Sequence, residues 1–107
     1  MEPSFRIVSD SFASHDYFAF HGNIDAQAET YLKELPLKVR RPVVKFDFSK
    51  AGRINSMGIA LLLRCLKTIK EEKQADIHLL ELSPTNTMLF KMTGVFFLAH
   101  PEKQTRQ

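Results

Sequence analysis

The chain has 107 residues, 44% of them hydrophobic and 25% charged, with a formal net charge of +3. That length supplies one compact core rather than two, and the composition is that of an ordinary globular domain, not a disordered or fibrous chain. The positive residues are dispersed, with Lys38, Arg40 and Arg41 the densest cluster, and no basic face interleaved with aromatics marks a nucleic-acid surface. Cys65 is the single cysteine, so no disulfide forms within the chain, and its place in an apolar run suits a small core residue. No stretch approaches the ~18 apolar residues of a membrane span. The start, Met1-Glu2-Pro3-Ser4-Phe5-Arg6, lacks the basic and apolar segments of a signal peptide, so a cytoplasmic protein is expected.

In chain order, Phe5 to Val8 alternates weakly and reads as an edge strand, followed by Ser9-Asp10-Ser11 as turn material. Tyr17-Phe18-Ala19-Phe20 suits a buried strand, ended by His21-Gly22-Asn23 because Gly and Asn tolerate positive φ. Asp25 stands as an N-cap before a helix whose inner face is Ala28, Tyr31, Leu32 and Leu35, and Pro36 stops it. Val43 to Phe48 is β-branched and aromatic, with Lys45 and Asp47 on alternate positions, and reads as a strand. Ser49 to Arg53 reads as a loop. The helix after Asn55 shows a stripe at Ile59, Leu62, Leu63, Leu66 and Ile69, and runs out in the solvated Lys70-Glu71-Glu72-Lys73. Ile77 to Leu82 is a further strand. Ser83 caps a last helix with Pro84 at its first position, inner residues Met88, Leu89 and Met92, and Gly94 as its stop. Val95-Phe96-Phe97-Leu98 is a candidate final strand, and the tail from about Pro101 is polar. Strands alternating with helices predict one α/β domain over residues 1–107, with a mixed, mostly parallel sheet of four to five strands and helices packed mainly on one face.

The most informative stretch is Arg53-Ile54-Asn55-Ser56-Met57-Gly58-Ile59, a polar turn running straight into an apolar helix. Ser56 falls at or near the first helical residue, where unpaired N–H groups and the positive end of the macrodipole face outward. Two readings of its hydroxyl stand side by side: an N-cap, or a phosphate carrier on a ready anion site. Met57, Ala60, Leu61 and Arg64 form a second stripe beside the core face. They either broaden the core contact or present a patch to a partner, and the adjacency of Met57 to Ser56 favours the partner.

Several segments, in order, resemble the STAS domain family, the fold of bacterial anti-sigma factor antagonists. They are Gly22-Asn23-Ile24-Asp25, then Phe46-Asp47-Phe48-Ser49 with Ile54-Asn55-Ser56-Met57-Gly58-Ile59, then Leu82-Ser83-Pro84 with Leu89-Phe90-Lys91-Met92-Thr93-Gly94-Val95. The resemblance implies a switch: a partner serine kinase that doubles as an anti-sigma factor phosphorylates the serine at position 56, and a PP2C-type phosphatase removes the phosphate. Partner contacts are expected from the second stripe and the turn before it, at Asn55, Met57, Gly58, Ala60, Leu61 and Arg64, together with Asp25 and Asp47, which fall on the family's acidic or amide positions near the same turn. Asn55 departs from the family's usual aspartate, and Met57 replaces a small hydroxyl residue, which excludes a second phosphosite there. Sigma-factor release, biofilm output and other stress responses are all compatible outputs.

An enzyme is the weakest reading. His15, His21, His78 and His100 show no metal-ligand spacing, and no Gly-rich phosphate loop or nucleophile elbow is present. No catalytic residue, metal or cofactor is therefore expected. The alternative binding module is suggested by family resemblance too: a cytoplasmic subunit of a lipid-transport ATPase, docking through the central helix without phosphorylation.

Overall fold

The structure is a computed structural model that describes residues 5–102. Its strands are β1 (Arg6–Ser11), β2 (Asp16–Ile24), β3 (Val43–Asp47), β4 (Ala51–Ile54), β5 (Asp76–Leu80) and β6 (His100–Pro101). Its helices are α1 (Glu29–Glu34), α2 (Ser56–Thr68) and α3 (Pro84–Thr93). The strands lie in the order β1-β2-β3-β5-β6, with β1 antiparallel to β2 and the remaining pairs parallel. This is the single mixed α/β sheet expected, with β4 added.

Alternation along the strands decides which face is core. Phe18, Phe20, Val44, Phe46, Ile77 and Leu79 are buried on the side that meets Leu32, Leu62, Leu66 and Phe90 of the helices. Phe20, Phe46, Phe48 and Phe90 form a chain of rings, with Phe20–Phe46, Phe20–Phe48 and Phe48–Phe90 centroids 5.1, 5.0 and 5.4 Å apart. Such pairs add about 0.5–1.5 kcal/mol each beyond the area they bury. The reverse face carries Tyr17, His21, Val43, Lys45, Asp47 and His78, all half-buried.

Several expectations are corrected. Ser9, Asp10 and Ser11 belong to β1, paired with Phe18, Tyr17 and Asp16. β2 does not end at His21 but runs to Ile24, its register shifting between Gly22 and Ile24, and Gly22 takes φ +96°. The expected loop 49–53 contains most of β4. There β2 passes from Ala19, paired with Asp47 of β3, to Gly22, paired with Ala51 of β4, so β4 resumes, after a break, the place β3 leaves. Tyr31 is largely exposed, although its ring meets Phe5 edge-on at 5.5 Å. Met88 and Met92 face outward, and α3 instead buries Asn86 and Phe90, because the Phe48 ring selects that side. Residues Val95–Phe97 form a 3-10 turn rather than a strand, and the Phe97 side chain is 92% exposed. The terminal strand is β6, fastened by the Glu102 N–H to the Leu79 carbonyl at 2.9 Å, so the expected tail does not begin at Pro101. Residues 103–107 of that tail lie outside the described residues.

The caps before α1 and at both ends of α3 fall as the sequence indicates. Asp25 Oδ1 accepts from the Gln27 N–H at 3.0 Å, capping the 3-10 turn Ala26–Ala28 that leads into α1. Ser83 Oγ accepts from the Asn86 N–H at 3.0 Å, with Pro84 at the first helical position, and Gly94 ends α3 at φ +87°. Cys65 is buried, which pushes its thiol up to about 12 and keeps it protonated.

Asp16 is the buried acid of the fold. Its Oδ2 accepts from the Arg40 and Arg41 N–H groups at 2.7 and 2.8 Å, and its Oδ1 accepts from the Ser11 hydroxyl at 3.2 Å. It thereby ties the turn before β3 to the start of β2. Asp16→Ala leaves two N–H groups without their acceptor, so a loss of about 2–4 kcal/mol is expected. Asp16→Asn, whose amide oxygen still accepts, should recover part of it. Chemical denaturation of the three proteins checks this; equal midpoints would show that the clamp is idle.

Candidate functional site

The start of α2 is positioned by the end of β2. The Asn55 N–H donates to the Ile24 carbonyl at 3.2 Å. Asn23 Oδ1 accepts from the Arg53 N–H at 2.9 Å, which fastens β4 just before the helix. Gly58 is buried, and a Cβ there would collide with the Ile24 carbonyl group. The helix can sit this close to β2 only because residue 58 has no side chain.

The cap of α2 is Asn55. Its Oδ1 accepts from the Gly58 N–H at 2.8 Å, and its carbonyl receives the Ile59 N–H at 2.9 Å. Of the two sequence readings of Ser56, the capping one is thus overturned: the neighbouring amide does that work. Ser56 is the first residue of α2, exposed, and its hydroxyl has no hydrogen-bond partner among the described residues. That residue 55 is an amide and not a carboxylate has a physical consequence. The amide satisfies the orphan N–H as a carboxylate would, but adds no negative charge beside Ser56.

The second stripe divides. Met57 is 52% exposed, and Ala60 and Arg64 are exposed with it, one and two turns further along α2. Leu61 is only 7% exposed, so it does not offer the docking surface expected of it. The buried side of α2 is Gly58, Leu61, Leu62, Cys65 and Leu66, continued by Ile69, while Ile59 and Leu63 are half-buried at its margin. The rotation follows from the Gly58 seat on Ile24, which turns Leu61 inward towards Leu32 and Pro36 beside α1. Gly58 likewise contributes by closeness of packing and has no surface to offer a partner.

Asp25 is half-buried, with its Oδ1 bonded to its own turn, and it directly follows Ile24, the residue that holds the Asn55 peptide. Asp47 lies at the end of β3 on the reverse face of the sheet. It accepts a short hydrogen bond from the Tyr17 hydroxyl and another from the Ser49 N–H at 2.8 Å. Its burial works to raise the carboxyl, but the Tyr17 and Ser49 hydrogen bonds and the nearby His21 outweigh that and hold it below the usual value. The hydrogen bond to Asp47, then burial, then its charge push the Tyr17 phenol up to about 12 from 10.0. The neutral phenol is favoured in the fold, so its contribution is whole below about pH 10 and lost as pH rises through about 12. The Asp47 contribution has the opposite sense, lost as pH falls through its lowered value. A spectrophotometric titration should show a late phenolate phase near pH 12 that Tyr17→Phe removes. A phase unaltered by that change would contradict the pairing.

Sequence reasoning missed two features. Asn23 read as a turn residue, yet its side chain anchors the segment that carries Ser56; the left-handed Gly22 before it is the one signal pointing there. His78 and His100, far apart in sequence, adjoin through β5 and β6 with rings 5.8 Å apart, beside Asp76 and Glu102. Among the described residues no group of three or more His, Cys, Asp or Glu is placed to hold a metal ion. Among the same residues no helix is long and apolar enough to cross a membrane.

A STAS domain profile matches residues 13–107, and the chain belongs to the STAS domain family. Its fold is similar to that of an anti-sigma factor antagonist from Mycobacterium paratuberculosis, with a TM-score of 0.76 at 14% identity over 97% of this chain and 92% of that one. It is also similar to the anti-sigma factor antagonist SpoIIAA in its unphosphorylated form, with a TM-score of 0.70 at 17% identity over 94% and 90% of the two chains. The Bacillus cell fate determinant SpoIIAA in the phosphorylated form gives a TM-score of 0.63 at 16% identity over 94% and 93%. No curated protein matches the sequence.

Proposed function

We propose that this chain is a phosphorylation-controlled protein-binding switch of the anti-sigma factor antagonist type. The unphosphorylated form binds a serine kinase of anti-sigma type through the start of α2 and the Met57–Ala60–Arg64 stripe. Phosphorylation of Ser56 weakens that contact, and a PP2C-type phosphatase reverses it. The observation that carries this reading is the exposed Ser56 hydroxyl at the first position of α2, left free because Asn55 supplies the cap. Membership of the family, and a fold shared with proteins solved in phosphorylated and unphosphorylated forms, support it.

The physics is local. A phosphate adds about −1.5 to −2 charges at neutral pH. The N-terminus of α2 favours that charge by about 0.3–1 kcal/mol, so the domain stays folded. A partner packed on Met57 instead meets a hydrated dianion that must be stripped of water. No conformational change is required. The test is a capture experiment in extract of the native cell, with wild type against Ser56→Asp, read by mass spectrometry. A kinase retained by wild type and lost by Ser56→Asp is the expected result. An ATPase retained equally by both would overturn the reading in favour of a transport subunit.

A further inference from the structure

We propose that the outer edge of β1 is a self-pairing surface, through which two copies of this chain join antiparallel about a two-fold axis at Val8. This goes beyond the switch reading and does not depend on it. The strand order places β1 outermost, and on its far side there is no strand among the described residues. The opposite edge, β6, has two residues, whereas β1 has six. An edge of that length presents a row of backbone N–H and C=O groups, solvated in the single chain, that form a template for another extended chain. β1 contains no proline and no lysine to blunt it.

Its side chains select the occupant. The pairing of Arg6 with His21, Val8 with Ala19 and Asp10 with Tyr17 sets Arg6, Val8 and Asp10 on the reverse face of the sheet, away from the helices. Ile7 and Ser9 turn the other way, into a cleft of about 90 Å³ shared with Phe18, Tyr31 and Leu35. A two-fold axis perpendicular to an antiparallel pair keeps each face on its own side, so it must pass between one residue and its own copy. The central choices are Ile7, Val8 and Ser9. Centring on Ile7 sets Arg6 against Val8, and centring on Ser9 sets Val8 against Asp10. Only Val8 sets each Arg6 opposite an Asp10 and covers Val8, 43% exposed in the single chain, with its own copy. The two charges of β1 are thus complementary to those of a second copy of it.

Both charged groups are available. Arg6 and Asp10 are exposed; the guanidinium lies 3.3 Å from His21 Nδ1, and Asp10 Oδ1 accepts from the adjacent Ser11 N–H at 2.9 Å. Oδ2 is left for a guanidinium. A single edge pairing is smaller than the ~1,000 Å² that stable complexes bury, so the dimer is weak and depends on concentration and salt.

Sedimentation velocity on the full chain, from micromolar to millimolar concentration at low salt, tests this. Wild type should pass from monomer to dimer. Arg6→Asp puts two carboxylates opposite each other and Asp10→Arg two guanidinium groups, so each variant alone should associate at least about tenfold more weakly. Mixed in equal amounts, the two variants carry complementary edges throughout and should form a heterodimer. The double variant Arg6→Asp/Asp10→Arg should dimerise by itself, which guards against a single variant that fails to fold; circular dichroism and melting verify all four proteins. A wild type that stays monomeric at millimolar concentration overturns the proposal. So does a folded single variant that associates like wild type, or a mixture that stays monomeric. Uptake of a foreign strand by a monomeric wild type would also overturn it, leaving the edge to that strand.

Discussion

Replacing Ser56 by aspartate is expected to weaken partner binding by about a hundredfold while leaving the domain as stable as wild type. The hundredfold corresponds to ~3 kcal/mol, the order expected when a charge must be desolvated against an apolar contact. Stability is held because position 56 begins α2, where the dipole favours a carboxylate. Ser56→Ala is the necessary control. The serine hydroxyl caps nothing, since the Gly58 N–H is bonded to Asn55, so the alanine variant should melt within about 0.5 kcal/mol of wild type and bind the partner undiminished. Aspartate carries less charge than a phosphate, so its effect is a lower bound on that of the modified protein. Calorimetric titration of the captured partner into each variant checks this. Equal affinities for folded Ser56→Asp and Ser56→Ala would mean that charge at the helix start does not control the contact.

Gly58→Ala is expected to be among the most destabilising single-methyl additions in the chain. On an exposed helix the change would gain up to about 1 kcal/mol from propensity. Here the added Cβ meets the Ile24 carbonyl, a backbone group that has no rotamer to retreat into. Relief requires α2 to move off β2, which stretches the Asn55-to-Ile24 hydrogen bond and opens the packing of Leu61 and Leu62. A net loss of about 2–3 kcal/mol is expected, or roughly 10–20 °C in melting temperature for a domain of this size. Because the same seat aims Met57 and Ser56, binding should fall with it. A Gly58→Ala protein as stable as wild type would show that the close approach of α2 to β2 is not needed.

Several helix boundaries were legible in the sequence because caps are local chemistry: Asp25, Ser83 with Pro84, and Gly94 each settle a backbone conformation within a few residues. At α2 the start was legible but the capping residue was not, since Ser56 and Asn55 are both good caps and the Gly58 N–H bond to Asn55 decides. Its end was hidden too, because the helix runs on as a π-helix over Ile69–Lys73. The direction in which a helix faces was less legible. In α2, Ile59, Leu61, Leu62, Leu63, Cys65 and Leu66 cover more than half the circumference, so periodicity does not choose between Leu61 and Ile59. The choice is made by a contact distant in sequence, Gly58 on Ile24. α3 repeats the lesson: Met88 and Met92 fit an apolar stripe better than Asn86 with Phe90 does, yet the side bearing Phe90 is buried against the ring of Phe48. β4 was hidden because Ala-Gly-Arg-Ile has little strand propensity. It forms where the Lys50 carbonyl accepts from Gly22 N–H and Asn23 accepts from Arg53 N–H. At the candidate site, Ser56, Met57, Ala60 and Arg64 share the exposed surface of α2 as expected, while Leu61 and Gly58 belong to its seat.

The most direct test of the switch is peptide mapping of the protein isolated from its native cell. Cleavage after Arg53 and Arg64 releases residues 54–64, in which Ser56 is the one hydroxyl-bearing side chain. The account predicts that this peptide occurs in two forms differing by one phosphate, and that partner captured with the protein accompanies the lighter form. A peptide 54–64 that is never phosphorylated while the partner still binds and releases would contradict it.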